Sequence, residues 1–248
     1  MNSYNPFSLS GKTIMISGAS SGIGKQTAIE CSKMGANVIL LGRNIEKLND
    51  TAKKIENFSG QIFAGDIEDD QYIEFICNSI NKINGFVNSA GHNILKPFEY
   101  LTKEIINKMV NINYIAPIEL TRNLLKKDIL VKNSSIVFIS ALASLYGTRG
   151  NSAYAASKGA INSMANVMAL ELSKKKIRVN CILPGMVRTP MIMDNQITDE
   201  ELQVDEFKYP LGYGDPEDIA MACVYFLSDA SKWVTGCKFI IDGGVSIN

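Results

Sequence analysis

The run Lys12-Thr13-Ile14-Met15-Ile16-Ser17, followed by Gly18-Ala19-Ser20-Ser21-Gly22-Ile23-Gly24, decides how this chain folds. The apolar run has the length of a short buried strand, and Ile23, Thr27, Cys31 and Met34 then recur at helical spacing. Strand, glycine turn and helix follow one another directly. Such glycines let a backbone turn tightly and approach a pyrophosphate, which then lies on the N–H groups and positive dipole end of the helix. Glycine-rich loops also occur as plain turns. The position directly after the first strand favours phosphate binding, with Gly18, Ser20, Ser21, Gly22 and Gly24 as candidate contacts.

Outward from that unit, residues 37–41 read as a second strand, and Ile45, Leu48, Ala52 and Ile55 as the face of a helix entered through Asn44 as N-cap. In dinucleotide folds the end of this strand holds the adenosine ribose, where an acid accepts the 2′-hydroxyl and a basic residue accommodates a 2′-phosphate. Gly42 and Arg43 stand here with no Asp or Glu, which favours NADP(H) over NAD(H), although a solvated Arg at a helix entrance leaves the same pattern. Residues 61–64 form a third strand leading to Asp66, which either meets an adenine amino group or caps its own turn. Tyr72, Phe75, Ile76 and Ile80 line the next helix, and a fourth strand over 85–88 ends in Asn88-Ser89-Ala90-Gly91. Residues this small suit a backbone that passes close to a cofactor. His92 is given no catalytic role.

Thr102 begins a long helix whose apolar stripe runs through Ile105, Met109, Ile112, Ala116, Leu120 and Leu124, with Pro117 inside it. Proline has no N–H for the carbonyl four residues back, so a kink that frees the Asn113 carbonyl is expected there. That carbonyl could anchor a water, or the bend could simply improve packing. Residues 135–140 form a fifth strand, and a loop of small residues leads to Tyr154-Ala155-Ala156-Ser157-Lys158. Tyr and Lys four apart share one helix face. An unperturbed Tyr has a pKa of about 10, and bringing it near 7 requires about 4 kcal/mol of preference for the phenolate. A fixed ammonium and a cationic nicotinamide could supply that. A lone pair of this kind is more often a packed Tyr beside a snorkelling Lys; its company in this chain favours the chemical reading.

The Tyr154 helix is expected to run to Lys174, Lys175 and Lys176, followed by a strand over 177–183 and then Pro184-Gly185. Met186, Met191, Ile192 and Met193 alternate with polar residues, and Thr198 with Glu201 makes a capping box, so a substrate lid is expected over about 186–210. Those methionines would suit adaptable substrate contacts or the lid's own small core. Asp215-Pro216 starts a last helix, and 238–241 form the closing strand before Asp242-Gly243-Gly244.

Composition narrows the partners. With 25 basic and 25 acidic residues the net charge is zero, which argues against nucleic acid or an anionic membrane and for a small-molecule partner. The N-terminal stretch has no secretory pattern, and no apolar run approaches the roughly 18 residues of a membrane span, so a cytoplasmic protein is expected. Five separated cysteines read as reduced core thiols, and a single histidine without CxxC argues against a metal site. No repeat or linker divides residues 1–248, which suit one large α/β domain.

Gly18-x-x-x-Gly22-x-Gly24, Asn88-Ser89-Ala90-Gly91, Asn113, Tyr154-x-x-x-Lys158, Pro184-Gly185 and Asp242-Gly243-Gly244 together resemble the short-chain dehydrogenase/reductase family, collinearly and over nearly the whole chain. The resemblance implies a doubly wound, three-layer Rossmann fold with a seven-stranded parallel sheet. It also implies a homodimer or homotetramer built on the helices of Asn113 and Tyr154. By the same resemblance Tyr154 is the general acid/base, Lys158 binds the nicotinamide ribose and lowers the Tyr pKa, and Asn113 anchors a proton-relay water. Ile23 lies beside the pyrophosphate, Asp66 and Ile67 contact adenine, and Val187 and Thr189 contact the carboxamide; Asn88, Ala90, Gly91, Pro184 and Gly185 complete the cofactor set. Two positions depart. The family's substrate-binding Ser falls on Ala141, and Tyr213 stands where Arg is common.

The implied reaction is hydride transfer between NADP(H) and a carbonyl/alcohol pair. If Ala141 is to be compensated, Ser144 in the loop is slightly preferred over Ser140, which reaches the site only where its strand ends or bulges. A nucleotide-binding sensor or scaffold is the competing class, supported by Ala141 alone. The basic ends Lys126-Lys127 and Lys174–Lys176 leave a 3-oxoacyl carrier-protein thioester as one substrate candidate, although such clusters are common solvated helix ends.

Overall fold

The inner strands are near-continuous apolar runs because helices cover them on both faces, whereas the two edge strands stay largely exposed. The computed structural model describes residues 4–193 and 198–248, with the side chain of Met193 left out. Residues 194–197 of the expected lid and the Met193 side chain therefore lie outside the described residues. Seven parallel strands, β1 (Thr13–Ser17), β2 (Asn37–Gly42), β3 (Gln61–Ala64), β4 (Ile83–Asn88), β5 (Leu130–Ile139), β6 (Arg178–Pro184) and β7 (Lys238–Ile241), form one sheet in the order β3-β2-β1-β4-β5-β6-β7. Parallel neighbours require crossovers. They are supplied by α1 (Gly22–Lys33), α2 (Ile45–Ala52), α3 (Asp70–Ser79), α4 (Lys103–Val110) with α5 (Ala116–Lys126), α6 (Ser152–Glu171), and α9 (Pro216–Leu227). Two short helices, α7 (Pro190–Met193) and α8 (Asp199–Glu206), lie in the β6-to-β7 connection. The fold is the expected three-layer, doubly wound one.

Side-chain alternation along each strand builds two cores. Met15, Phe86 and Phe138 face one layer of helices, while Ile14, Ile16, Val87 and Val137 face the other. All five cysteines are free thiols, four of them buried. Among the described residues no helix is long and apolar enough to cross a membrane.

Two expectations about elements are corrected. The helix begun at Thr102 is not continuous: Asn111–Ile115 form a π turn between α4 and α5, with the Ala116 N–H bonded to the Asn111 carbonyl. The distortion sits one turn ahead of Pro117 because the wider turn realigns the ladder before the residue that has no N–H to give. The helix of Tyr154 ends at Glu171, and Leu172–Lys175 tighten to 3₁₀ geometry before Lys176 turns left-handed at φ 54°. In a parallel sheet all strands start at one edge. Lys126 and Lys174–Lys176 lead into β5 and β6, so both basic clusters lie at the edge opposite the one where the glycine turn leaves β1.

Candidate active site

Strand order reverses between β1 and β4, and the crevice beyond their carboxyl ends is where ligands lodge in such sheets. The glycine turn crosses it. Gly18 has φ +70°, and a Cβ there would meet the Ala90 backbone nitrogen at 2.8 Å, so the loops after β1 and β4 touch backbone to backbone. Ser21 is the N-cap of α1 but makes no side-chain cap bond, whereas Asn44, Asp69, Thr102 and Thr198 each cap their helices. The first N–H groups of α1 are thus left without a side-chain acceptor at the crevice, as a pyrophosphate requires.

A cleft of about 1360 Å³ spans the carboxyl edge of the sheet. It is lined by Gly18, Ser20, Ser21, Gly22, Ile23, Arg43, Asp66, Ile67, Ala90, Gly91, Ser140, Tyr154, Lys158, Pro184, Gly185, Val187 and Thr189 among the residues expected to act. Four others stand behind its wall. Gly24 packs on the Gly18 carbonyl, and the Asn88 amide accepts from the Ser17 hydroxyl at 3.0 Å and donates to the Pro117 carbonyl at 3.3 Å. Asn113 and Ser144 are the other two, and their side chains pin loops.

Tyr154 is half-buried, and Lys158 is buried with 5% exposure. The ammonium donates to the Ile139 carbonyl at 2.8 Å and sits 5.8 Å from the centre of the Tyr154 ring. Burial pushes the two groups the same way, toward neutrality: the phenol is pushed up to about 12 and the ammonium down to about 8. The protein alone therefore does not give the expected downward shift at Tyr154. The physical reason is burial, which disfavours the phenolate, and no charge beside the ring offsets it.

Asn113 is 1% exposed at the centre of the π turn. Its Oδ1 accepts from the His92 N–H at 2.8 Å, and its Nδ2 donates to the His92 carbonyl at 2.9 Å and lies 3.1 Å from the Ser157 hydroxyl. One amide thereby pairs both backbone groups of His92 and ties the β4 loop to the helix of Tyr154. A Cβ on Gly91 would lie 3.0 Å from that amide oxygen and 3.3 Å from Lys158 Nζ. A side chain there would have to push the amide oxygen or the ammonium aside by a few tenths of an ångström.

Of the two serines weighed against Ala141, Ser140 lines the cleft and Ser144 does not. β5 ends at Ile139, which lets Ser140 line the cleft, where its hydroxyl donates to the Lys158 carbonyl at 3.2 Å. Ser144 is outside the lining: its hydroxyl donates to the Ala141 carbonyl at 2.6 Å and accepts from Asn162 at 2.7 Å. At the adenosine end Arg43 is exposed, and Asp66 accepts from the Glu68 N–H at 3.0 Å, so it caps its own turn while lining the cleft. Glu68, unremarked in the sequence, lines the same end. Burial and Asp66 raise its carboxyl while Arg43 and Lys108 pull it back.

A family model described as enoyl-(acyl carrier protein) reductase matches residues 18–246. The chain belongs to the short-chain dehydrogenase/reductase family. It is 31% identical over 246 residues to a 3-oxoacyl-(acyl-carrier-protein) reductase of Thermotoga maritima, covering 96% of this chain and 99% of that one. It is 32% identical over 248 residues to an NADP-dependent (R)-specific alcohol dehydrogenase of Lentilactobacillus kefiri, covering 95% and 97%. A crystal structure of a putative NAD(P) dependent gluconate 5-dehydrogenase from Beutenbergia cavernae, with bound NADP, superposes with a TM-score of 0.92 at 28% identity, covering 98% of this chain and all of that one. As a short-chain dehydrogenase/reductase, the protein is an oxidoreductase-family enzyme of Rossmann fold.

Several lining residues of this family member were missed in the sequence. Asn93 and Asn151 meet across the cleft, Nδ2 of the first donating to Oδ1 of the second at 2.9 Å, and Leu95, Leu142 and Tyr146 add apolar wall. Only loop packing brings them together, and no periodic pattern marks them.

The Lys158 shift carries a pH dependence. Its folded value of about 8 lies below the ordinary 10.5, which corresponds to roughly 3 kcal/mol of instability while the amine is charged in both states. That cost is full below pH 8, falls as the pH rises from 8 to 10.5, and is gone above. Lys158→Met is therefore expected to raise the thermal midpoint at pH 7 relative to wild type and to lose the advantage by about pH 10.5. Calorimetry across that range checks it; an advantage independent of pH would show that the charge is not what destabilises.

Proposed function

We propose that this enzyme interconverts a carbonyl and an alcohol with NADP(H), with Tyr154 as general acid/base. The observation that carries the reading is that Tyr154, Lys158, the uncapped start of α1 and Arg43 all open into one cleft. When bound, NADP(H) supplies or accepts the hydride. The turn at Gly18–Gly22 and the first N–H groups of α1 bind the pyrophosphate, Arg43 pairs with the 2′-phosphate, and Val187 and Thr189 orient the carboxamide. Tyr154 gives its hydroxyl proton to the nascent alkoxide. Lys158 holds positive charge beside it, and Asn113 at the π turn anchors the water that returns the proton. Depletion of NADPH by Tyr154→Phe is expected to be abolished across a panel of aldehydes and ketones, with NADPH affinity retained. Near-wild-type turnover would remove Tyr154 from the chemistry.

The likeness to the Thermotoga reductase makes a carrier-protein thioester one candidate substrate. A small uncharged carbonyl with an apolar body is favoured instead. The basic clusters that suggested carrier docking lie at the far edge of the sheet, whereas the acids Glu200, Glu201 and Asp205 of α8 line the cleft. Arg43→Ala is expected to weaken NADPH binding by tenfold or more, on the order of the loss of a charge-assisted pair, and to leave NADH binding nearly unchanged. Titration by cofactor fluorescence measures both; equal losses would remove the 2′-phosphate assignment.

In this reading Ser140 turns its hydroxyl from the Lys158 carbonyl to the substrate oxygen, in place of the hydroxyl missing at Ala141. A single oxyanion donor is worth on the order of 10² to 10³ in rate, so Ala141→Ser is expected to speed single-turnover transfer markedly, and Ser140→Ala to slow it about tenfold. Transfer indifferent to both changes would mean that neither position faces the reacting oxygen.

A further inference from the structure

Helix α8 is only eight residues long and buries none of its side chains. A helix so short is marginal in water without an apolar face to bury, so something else holds it at the cleft. Its start is closed by the Thr198–Glu201 capping box, with three acids in the first turn. Its end is bound to the chain at Tyr213 and Arg188, the first of which lines the cleft. The Tyr213 hydroxyl donates to Asp205 at 2.8 Å, the Tyr213 N–H donates to Glu206 at 3.1 Å, and Arg188 pairs with the same Glu206 oxygen while donating to the Tyr213 carbonyl at 2.8 Å. Tyr213 is 8% exposed, and the Arg188 guanidinium lies 5.8 Å from its ring centre.

Arg188 stands between Val187 and Thr189. Those two line the cleft and Arg188 does not. Val187 is also bridged to Gly214, next to Tyr213, and Arg188 donates its N–H to the Gly214 carbonyl at 2.9 Å. One extended segment thus faces the cleft with two residues and grips α8 with the one between them.

We infer that Tyr213 and Arg188 are positioning residues, a latch that holds α8 over the substrate end of the cleft and couples its placement to cofactor binding at 187–189. The coupling rests on the assignment of Val187 and Thr189 to the cofactor; the latch itself does not. Moving the 187–189 strip on binding shifts the guanidinium and with it the carboxylate of Glu206, and by linkage an ordered α8 favours the bound strip in return. Tyr213 is where the sequence departs from the Arg common in the family, and here its neutral hydroxyl serves a lid carboxylate.

Hydrogen exchange tests this in the full chain. In cofactor-free protein, Tyr213→Phe and Glu206→Ala are expected to raise exchange of the α8 amides about tenfold while β1, β4 and β5 are unchanged, with Glu206→Gln recovering part of the protection. Tyr213→Phe removes one oxygen atom and leaves the ring in place, so folding is retained. Saturating NADPH is expected to protect α8 in wild type and to lose that effect in Arg188→Met, with Arg188→Lys intermediate. Unchanged α8 exchange in Tyr213→Phe and Glu206→Ala would overturn the latch. NADPH that binds by fluorescence yet protects α8 equally in wild type and Arg188→Met, or protects neither, would overturn the coupling. NADPH that fails to bind at all would sink the cofactor assignment and with it the coupling, while the cofactor-free comparison still decides the latch.

Discussion

The close passage of two backbones, the turn after β1 and the loop after β4, is the constraint on which the rest of this molecule depends. Right-handed crossovers carry the chain to opposite sides of the sheet from β1 and β4, so a crevice opens between them. Gly18 lets the two loops meet at Ala90 without a side chain between them. Everything chemical is then gathered at one edge, because parallel strands deliver all their carboxyl ends together. The loops after β4, β5 and β6 bring Gly91, Ser140 and Gly185 to the same cleft.

A second theme is how much buried polarity the site sustains. Lys158 and Asn113 are both nearly inaccessible, and each is paired with backbone: the ammonium with the Ile139 carbonyl, the amide with both groups of His92. An unpaired buried donor would cost on the order of 1 to 3 kcal/mol, so these partners offset desolvation and fix geometry at once. The remaining cost is visible in the lowered lysine pKa. Stability is given up at the residue that the reading places beside the proton donor, as is common where chemistry requires a charge out of water.

The wall made by α8 is held differently. The sheet edge is fixed by apolar burial, whereas α8 is fixed by carboxylates, one guanidinium and one phenol. Contacts of that kind exchange with water at little cost, whereas apolar burial does not.

The chain by itself determined the architecture and most of the cleft. Apolar runs closed by glycine or small residues placed the strands to within a few positions, because burial on two faces leaves no other composition possible. Motif spacing alone placed the glycine turn, Tyr154 and Lys158, since a helix turn puts residues four apart on one face. Pro117 announced a distortion, yet where the ladder would widen was decided by packing against the β4 loop, and it became a π turn centred on Asn113. The surroundings of the two serines were hidden for a related reason: β5 ends one residue before Ser140, and Asn162, eighteen positions along the chain, donates to the Ser144 hydroxyl. The direction of the Tyr154 shift was likewise hidden, because it depends on how deeply the tertiary fold buries the phenol. Local spacing sets which groups can face one another; only the tertiary fold decides which of them are already engaged elsewhere.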